Sequence, residues 1–68
     1  MKNKIKELRK QIGLRQEDIA KELKVTRQTI NAIENNKYNP TLELAMRLAK
    51  LFNKPVEEIF ELTVNGSE

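Results

Sequence analysis

The sequence predicts an all-α domain of five short helices, and three observations carry that prediction. Apolar residues recur at spacings of three and four through most of the chain. The punctuators Gly13, Pro40 and Pro55 fall between those periodic segments rather than inside them. The 68-residue length, with 38% apolar and 34% charged residues, suits one small packed core and neither a disordered chain nor a large cleft.

Ile5, Leu8 and Ile12 define one face of a first helix over residues 4–12, and Gly13 is a natural stop behind it. Ile19, Ala20 and Leu23 face inward from a second helix over Gln16–Leu23. Its first turn carries Glu17 and Asp18 against the positive end of the helix dipole. Thr26 caps a third helix over residues 27–35, with Ile30 and Ile33 inward. Residues 35–40, Asn-Asn-Lys-Tyr-Asn-Pro, read as a loop. Thr41 caps a fourth, broadly apolar helix to about Phe52, and Pro55 fits the first turn of a fifth through about Phe60. Alternation over Glu61, Leu62, Thr63 and Val64 is a weak strand signal, and the last four residues are expected to fray. No repeat or linker divides the chain, so residues 1–68 are expected to form a single domain with its core in 4–60 and a tail over 61–68.

Composition excludes several functions. With no Cys and no His there is no disulfide, no thiolate chemistry and no ordinary zinc site, so no metal or cofactor is expected. No apolar run is long enough to span a membrane, and the basic start, Met1 to Lys4, has no apolar signal core behind it. A cytoplasmic location is the expectation. Catalysis by general acids and bases needs displaced titrating groups in a cleft, and Glu57 and Glu58 at a helix start are better read as dipole-stabilising. The chain is not expected to be an enzyme.

Charge is unevenly placed. Residues 1–37 hold ten Lys or Arg against five Asp or Glu, while residues 38–68 hold three against five, giving the overall +3. A basic first half favours a polyanion partner, nucleic acid above all.

Residues 16–35 sharpen this into a helix-turn-helix. Two short helices flank Lys24, Val25 and Thr26, a turn of the length this motif uses. Counting Gln16 as position one, apolar residues occupy positions four (Ile19), eight (Leu23), ten (Val25), fifteen (Ile30) and eighteen (Ile33). Position five is Ala20, small enough for a close crossing. Thr26, Arg27, Gln28, Thr29 and Asn31 crowd the start of the second of these helices, with no acid before Glu34. Arg, Gln and Asn bond base edges bidentately, and Thr reaches phosphates or a thymine methyl.

These stretches, with Ile5-Lys6-Glu7-Leu8-Arg9 and Asn39-Pro40-Thr41-Leu42, resemble the Cro/C1-type helix-turn-helix family of xenobiotic-response-element-like regulators over residues 4–60. Within it the chain is most similar to short cytolysin-repressor-type regulators, which share the Arg27-to-Asn31 helix start, the Lys37-Tyr38-Asn39-Pro40 loop and the ending at Phe60. The resemblance implies a five-helix lambda-repressor-like domain and a dimeric regulator, usually a repressor on a palindromic double-stranded operator. It implies a phosphate contact for Gln16, base or phosphate contacts for Arg27 and Gln28 flanked by Thr26, Thr29 and Asn31, and a loop of Lys37, Tyr38 and Asn39 against the DNA backbone. It also implies an ion pair between Arg9 and Glu34. Two residues depart from the family pattern: Arg15 stands where a Ser or Thr cap is usual, and Lys24 where Gly often ends the helix.

One recognition helix reads too few base pairs for a genomic search, so a homodimer is expected. Leu51, Val56, Phe60, Leu62 and Val64, in the acidic half away from the phosphates, are the candidate pairing residues, with residues 61–64 as a short strand at the interface. A toxin or other protein is a possible further partner.

Overall fold

The computed structural model describes residues 1–62. In chain order its elements are β1 (Lys2–Asn3), α1 (Ile5–Gln11), α2 (Gln16–Leu23), α3 (Arg27–Glu34), α4 (Leu42–Phe52), α5 (Val56–Ile59) and β2 (Phe60–Glu61). The helices surround one core. Ile5, Ile19, Ile30, Ile33, Leu48 and Ile59 are each less than 2% exposed, and Leu8, Ala20, Leu23, Leu44, Ala45, Phe52 and Phe60 close around them. Burying a side chain of this size contributes about 1.5–3 kcal/mol, which is how five short helices hold together although none would persist alone.

Helix starts follow the sequence closely. Thr26 Oγ1 accepts the Thr29 backbone N–H at 3.1 Å, and Thr41 Oγ1 accepts that of Leu44 at 3.1 Å. Arg15 has no acceptor with which to cap α2, so Asp18 supplies the missing half: its Oδ2 accepts the Arg15 backbone N–H at 2.8 Å.

Four helices end in the same way. Gly13, Lys24, Asn36 and Asn53 have φ of 75°, 60°, 61° and 56°, the left-handed region. Each is followed by a backbone bond back to the helix: Leu14 N–H to Arg9 O at 3.0 Å, Val25 to Ala20 at 2.9 Å, Lys37 to Ala32 at 2.9 Å and Lys54 to Ala49 at 3.0 Å. These are Schellman closures, which satisfy carbonyls the helix itself leaves unpaired. Glycine and asparagine enter this region readily; a lysine does so at a cost, so Lys24 is the strained member.

The C-terminal end departs from expectation. Pro55 caps α5 from outside the helix, with ψ of 154°, and Phe60 turns extended at φ −115° and ψ 143°. The strand therefore starts at Phe60 rather than Glu61. It pairs antiparallel with β1 of the same chain, Asn3 opposite Phe60 and Lys2 opposite Glu61, an element the sequence reading had not found. Thr63 and Val64, the remainder of the expected strand, lie outside the described residues. As far as it is described, the expected strand pairs within one chain and joins its first residues to the end of α5. Lys4 N–H, donating to Ile59 O at 2.8 Å, continues the same pairing.

Candidate DNA-binding surface

Among the described residues α2 and α3 form the most extensive helix pair, crossing over the Lys24–Val25–Thr26 turn, with Val25 half-buried against the core. The crossing fixes which side of α3 stays outside. Ile30 and Ile33 point inward, leaving Thr26, Arg27, Gln28 and Asn31 exposed on the opposite side. Thr29 is half-buried, and its hydroxyl lies 3.0 Å from Thr26 Oγ1, so it supports the cap. It offers less surface than its neighbours.

Gln16 stands at the start of α2, and the structure brings it onto the same surface. Its Nε2 donates to Glu34 Oε1 at 3.0 Å, and its Oε1 accepts from Asn31 Nδ2 at 3.4 Å. Glu34 is the centre of this cluster. Arg9 Nε donates to its Oε2 at 2.7 Å and Arg9 Nη2 to its Oε1 at 3.1 Å, while Arg9 Nη1 donates to Leu14 O at 3.2 Å. The ion pair implied by the resemblance is present, bidentate and nearly closed to solvent, with side-chain exposures of 11% and 3%. Bidentate geometry of this kind fixes orientation as well as energy. It locks α1 to the end of α3, and it neutralises the Glu34 carboxylate beside Gln16 and Asn31.

The loop after α3 carries Lys37, Tyr38 and Asn39, all exposed, with Tyr38 at 47%. Lys24, Arg27 and Lys37 have no carboxylate within ion-pair distance among the described residues. Arg15 differs: it pairs with Glu17 at 3.1 Å and Asp18 at 3.2 Å. The Arg15 backbone N–H, then its guanidinium, hold the Asp18 carboxyl below the usual carboxylate range. Lys24 and Arg27 without partners at a helix start that itself attracts anions, with Lys37 beyond the far end, make this face suited to phosphates. No group of acids among the described residues is placed to hold a metal.

The candidate pairing residues fare differently from one another. Leu62 is 73% exposed, Leu51 and Val56 are half-buried against the core, and Val64 lies outside the described residues. Phe60 is buried in the core of the single chain, at the residue where the backbone turns extended. Two features went unread in the sequence. Leu42 and Met46, one turn apart on α4, are 75% and 52% exposed. Treating α4 by angle would have found them, since Leu44, Ala45, Leu48 and Phe52 occupy the inward side. The other is Asn3, whose contacts cross from β1 to α3 and leave no trace in local periodicity.

Comparison with known proteins agrees with this geometry. The helix-turn-helix family model matches residues 5–59. The chain is 55% identical over 60 residues to the uncharacterized HTH-type transcriptional regulator MJ0272 of Methanocaldococcus jannaschii, covering 88% of this chain and 91% of that protein. It is 47% identical over 62 residues to the uncharacterized HTH-type regulator YgzD of Bacillus subtilis, covering 91% and 94%. A further HTH-type regulator, from Methanothermobacter thermautotrophicus, is 44% identical over the full length of both chains. With the crossing of α2 and α3, the buried Arg9–Glu34 pair and a match spanning nearly all the helical core, the chain belongs to the Cro/C1-type helix-turn-helix family of DNA-binding transcriptional regulators and works by binding, not catalysis.

Proposed function

We propose that this regulator is a repressor that reads a palindromic operator as a homodimer, with α3 in the major groove of each half-site. The observation that carries this is the outward face of α3: Arg27 and Gln28 exposed at its start, no acid in its first turn, and Lys24 and Lys37 on either side with no ion-pair partner among the described residues. In this reading Arg27 and Gln28 meet base edges, and Gln16, held by Glu34, donates its second amide N–H to a phosphate beside them. Thr26 and Asn31 flank the contact, Thr29 supports it from behind, and Lys37, Tyr38 and Asn39 lie along the backbone of the same half-site. The reading treats the chain as one domain, with a core over 4–60, the motif over 16–35 and a tail over 61–68, acting in the cytoplasm.

The second copy is inferred from need and from surface. A single α3 supplies too few base contacts to stand out against a genome, and two-fold pairing doubles them. Leu62, exposed at the end of β2, with the half-buried Leu51 and Val56, supplies apolar surface outside the DNA face. No helix among the described residues is long and apolar enough to cross a membrane.

In vitro selection from random duplex DNA at two salt concentrations tests the proposal. The expected result is an inverted repeat with half-site centres about 34 Å apart, one helical turn. A single unrepeated half-site would reject the palindromic dimer. Recovery of no motif, with binding that collapses at the higher salt, would leave only phosphate attraction and direct the search to a toxin or other protein partner.

A further inference from the structure

We infer that Asn3 is a positioning residue for DNA binding: it ties the strand β1 to the turn that launches the Lys37–Asn39 loop. Its side chain divides its two functions between its two ends. Oδ1 accepts the Ile5 backbone N–H at 3.1 Å, which starts α1. Nδ2 donates to Ile33 O at 2.8 Å and to Asn36 Oδ1 at 3.1 Å. Ile33 O is also the acceptor for the Asn36 backbone N–H at 3.0 Å, so Asn3 grips the same carbonyl that closes the end of α3. Asn36 is the left-handed residue of that closure, and Lys37 follows it directly.

Asn3 is itself anchored. Its backbone pairs with Phe60 across the two-stranded sheet, and the next residue, Lys4, donates to Ile59 O at 2.8 Å. The other side-chain hydrogen bonds of Asn35 and Asn36 among the described residues are local, from Asn35 Nδ2 to Asn31. Asn3 therefore supplies the one long-range side-chain tie that the described residues give this loop. A free loop must lose conformational freedom when it meets the backbone of DNA, whereas a pinned one has already lost it. The consequence is a Lys37 contact that is made at lower cost because Asn36 cannot swing away.

This inference rests on the reading of Lys37 as a phosphate contact, and the test separates the two. Asn3→Asp keeps the acceptor for Ile5 N–H but turns a carboxylate oxygen toward Ile33 O, replacing the shorter attraction at the end of α3 by a repulsion. Asn36→Gly removes only the loop-side acceptor and keeps a residue at ease with positive φ. Each full-length variant, with Lys37→Ala and the Asn3→Asp/Lys37→Ala pair, is titrated against the selected operator and a mixed-sequence duplex over a range of salt, at a temperature where circular dichroism shows it folded.

A lost phosphate contact makes the slope of log affinity against log salt shallower by about 0.9. Asn3→Asp is expected to reach most of that change and a loss of affinity of about tenfold or less, on both duplexes alike. Asn36→Gly is expected to move the same way by less, and the double variant to match Lys37→Ala alone, as coupled residues do. A folded Asn3→Asp or Asn36→Gly protein with the unaltered slope would overturn the inference, as would full additivity with Lys37→Ala. An unaltered slope in Lys37→Ala would instead overturn the phosphate contact on which it rests.

Discussion

Replacing Glu34 by Ala removes a carboxylate that accepts three side-chain hydrogen bonds, at 2.7 and 3.1 Å from Arg9 and 3.0 Å from Gln16. What remains is an Arg9 guanidinium only 11% exposed, with Leu14 O as its one partner. Removing one member of a buried pair costs about 3–5 kcal/mol, chiefly because the other charge is left without compensation. Stability of about 0.05–0.15 kcal/mol per residue gives a chain of this length about 3–10 kcal/mol in total. Glu34→Ala therefore consumes a large share of it. For a domain of this size each kcal/mol lowers Tm by about 4–8 °C, so thermal unfolding followed by circular dichroism should show a drop of at least about 12 °C. Replacing both partners by apolar residues, Arg9→Met with Glu34→Leu, should recover much of the loss, since no buried charge is then stranded. A fall of less than about 4 °C in the single variant would refute the reasoning. It would assign the pair the small worth of an exposed one.

Lys24 holds φ at 60°, so Lys24→Gly should raise Tm by a few degrees, about 0.5–1 kcal/mol of relieved strain; an unchanged or lower Tm would count against that strain. The same change removes a cation beside the recognition helix, so affinity for any duplex should fall slightly while stability rises. Asp18 is held below the ordinary carboxylate range first by the Arg15 N–H, so it contributes stability above about pH 4 that is lost as pH falls through the folded-state value. Asp18→Asn should therefore flatten the acid limb of the stability curve, in urea titrations from neutral pH downward, and leave its alkaline side unaltered. Gln28→Ala should relax base preference at one operator position at a cost of about 1–3 kcal/mol, whereas Lys37→Ala should weaken all duplexes alike. Competition against single-base operator variants separates the two patterns.

Helices were legible wherever a local rule governed them. The bounds of α2 and α4 agree with the spacing of their apolar residues and the caps at Thr26 and Thr41 follow from residue type, because both depend on neighbours within a few positions. Helix ends were harder. Gly13 announces itself, but Asn36 and Asn53 adopt the same backbone, and asparagine is as common in loops as in helix closures. The outward face of α4 was missed for a different reason: Leu42 and Met46 are apolar like the inward residues, so residue type alone hides them and only their angle around the helix sets them apart.

The surface for DNA divides in the same way. Residue types and apolar spacing placed Arg27 and Gln28 on an exposed helix start, since the core-facing positions of α3 dictate what is left outside. Those positions also needed no knowledge of β1. The sequence by itself determined the helical periodicity, the helix-turn-helix spacing and the charge that favours a polyanion, because each is written over short stretches of chain. Only the tertiary structure decided that β2 pairs with β1, that Phe60 turns into the core, that Glu34 holds Gln16, and that Asn3 reaches the end of α3. These depend on groups between 18 and 59 positions apart meeting within a few ångströms, and no local pattern encodes which distant partner will satisfy a buried charge or an open backbone bond.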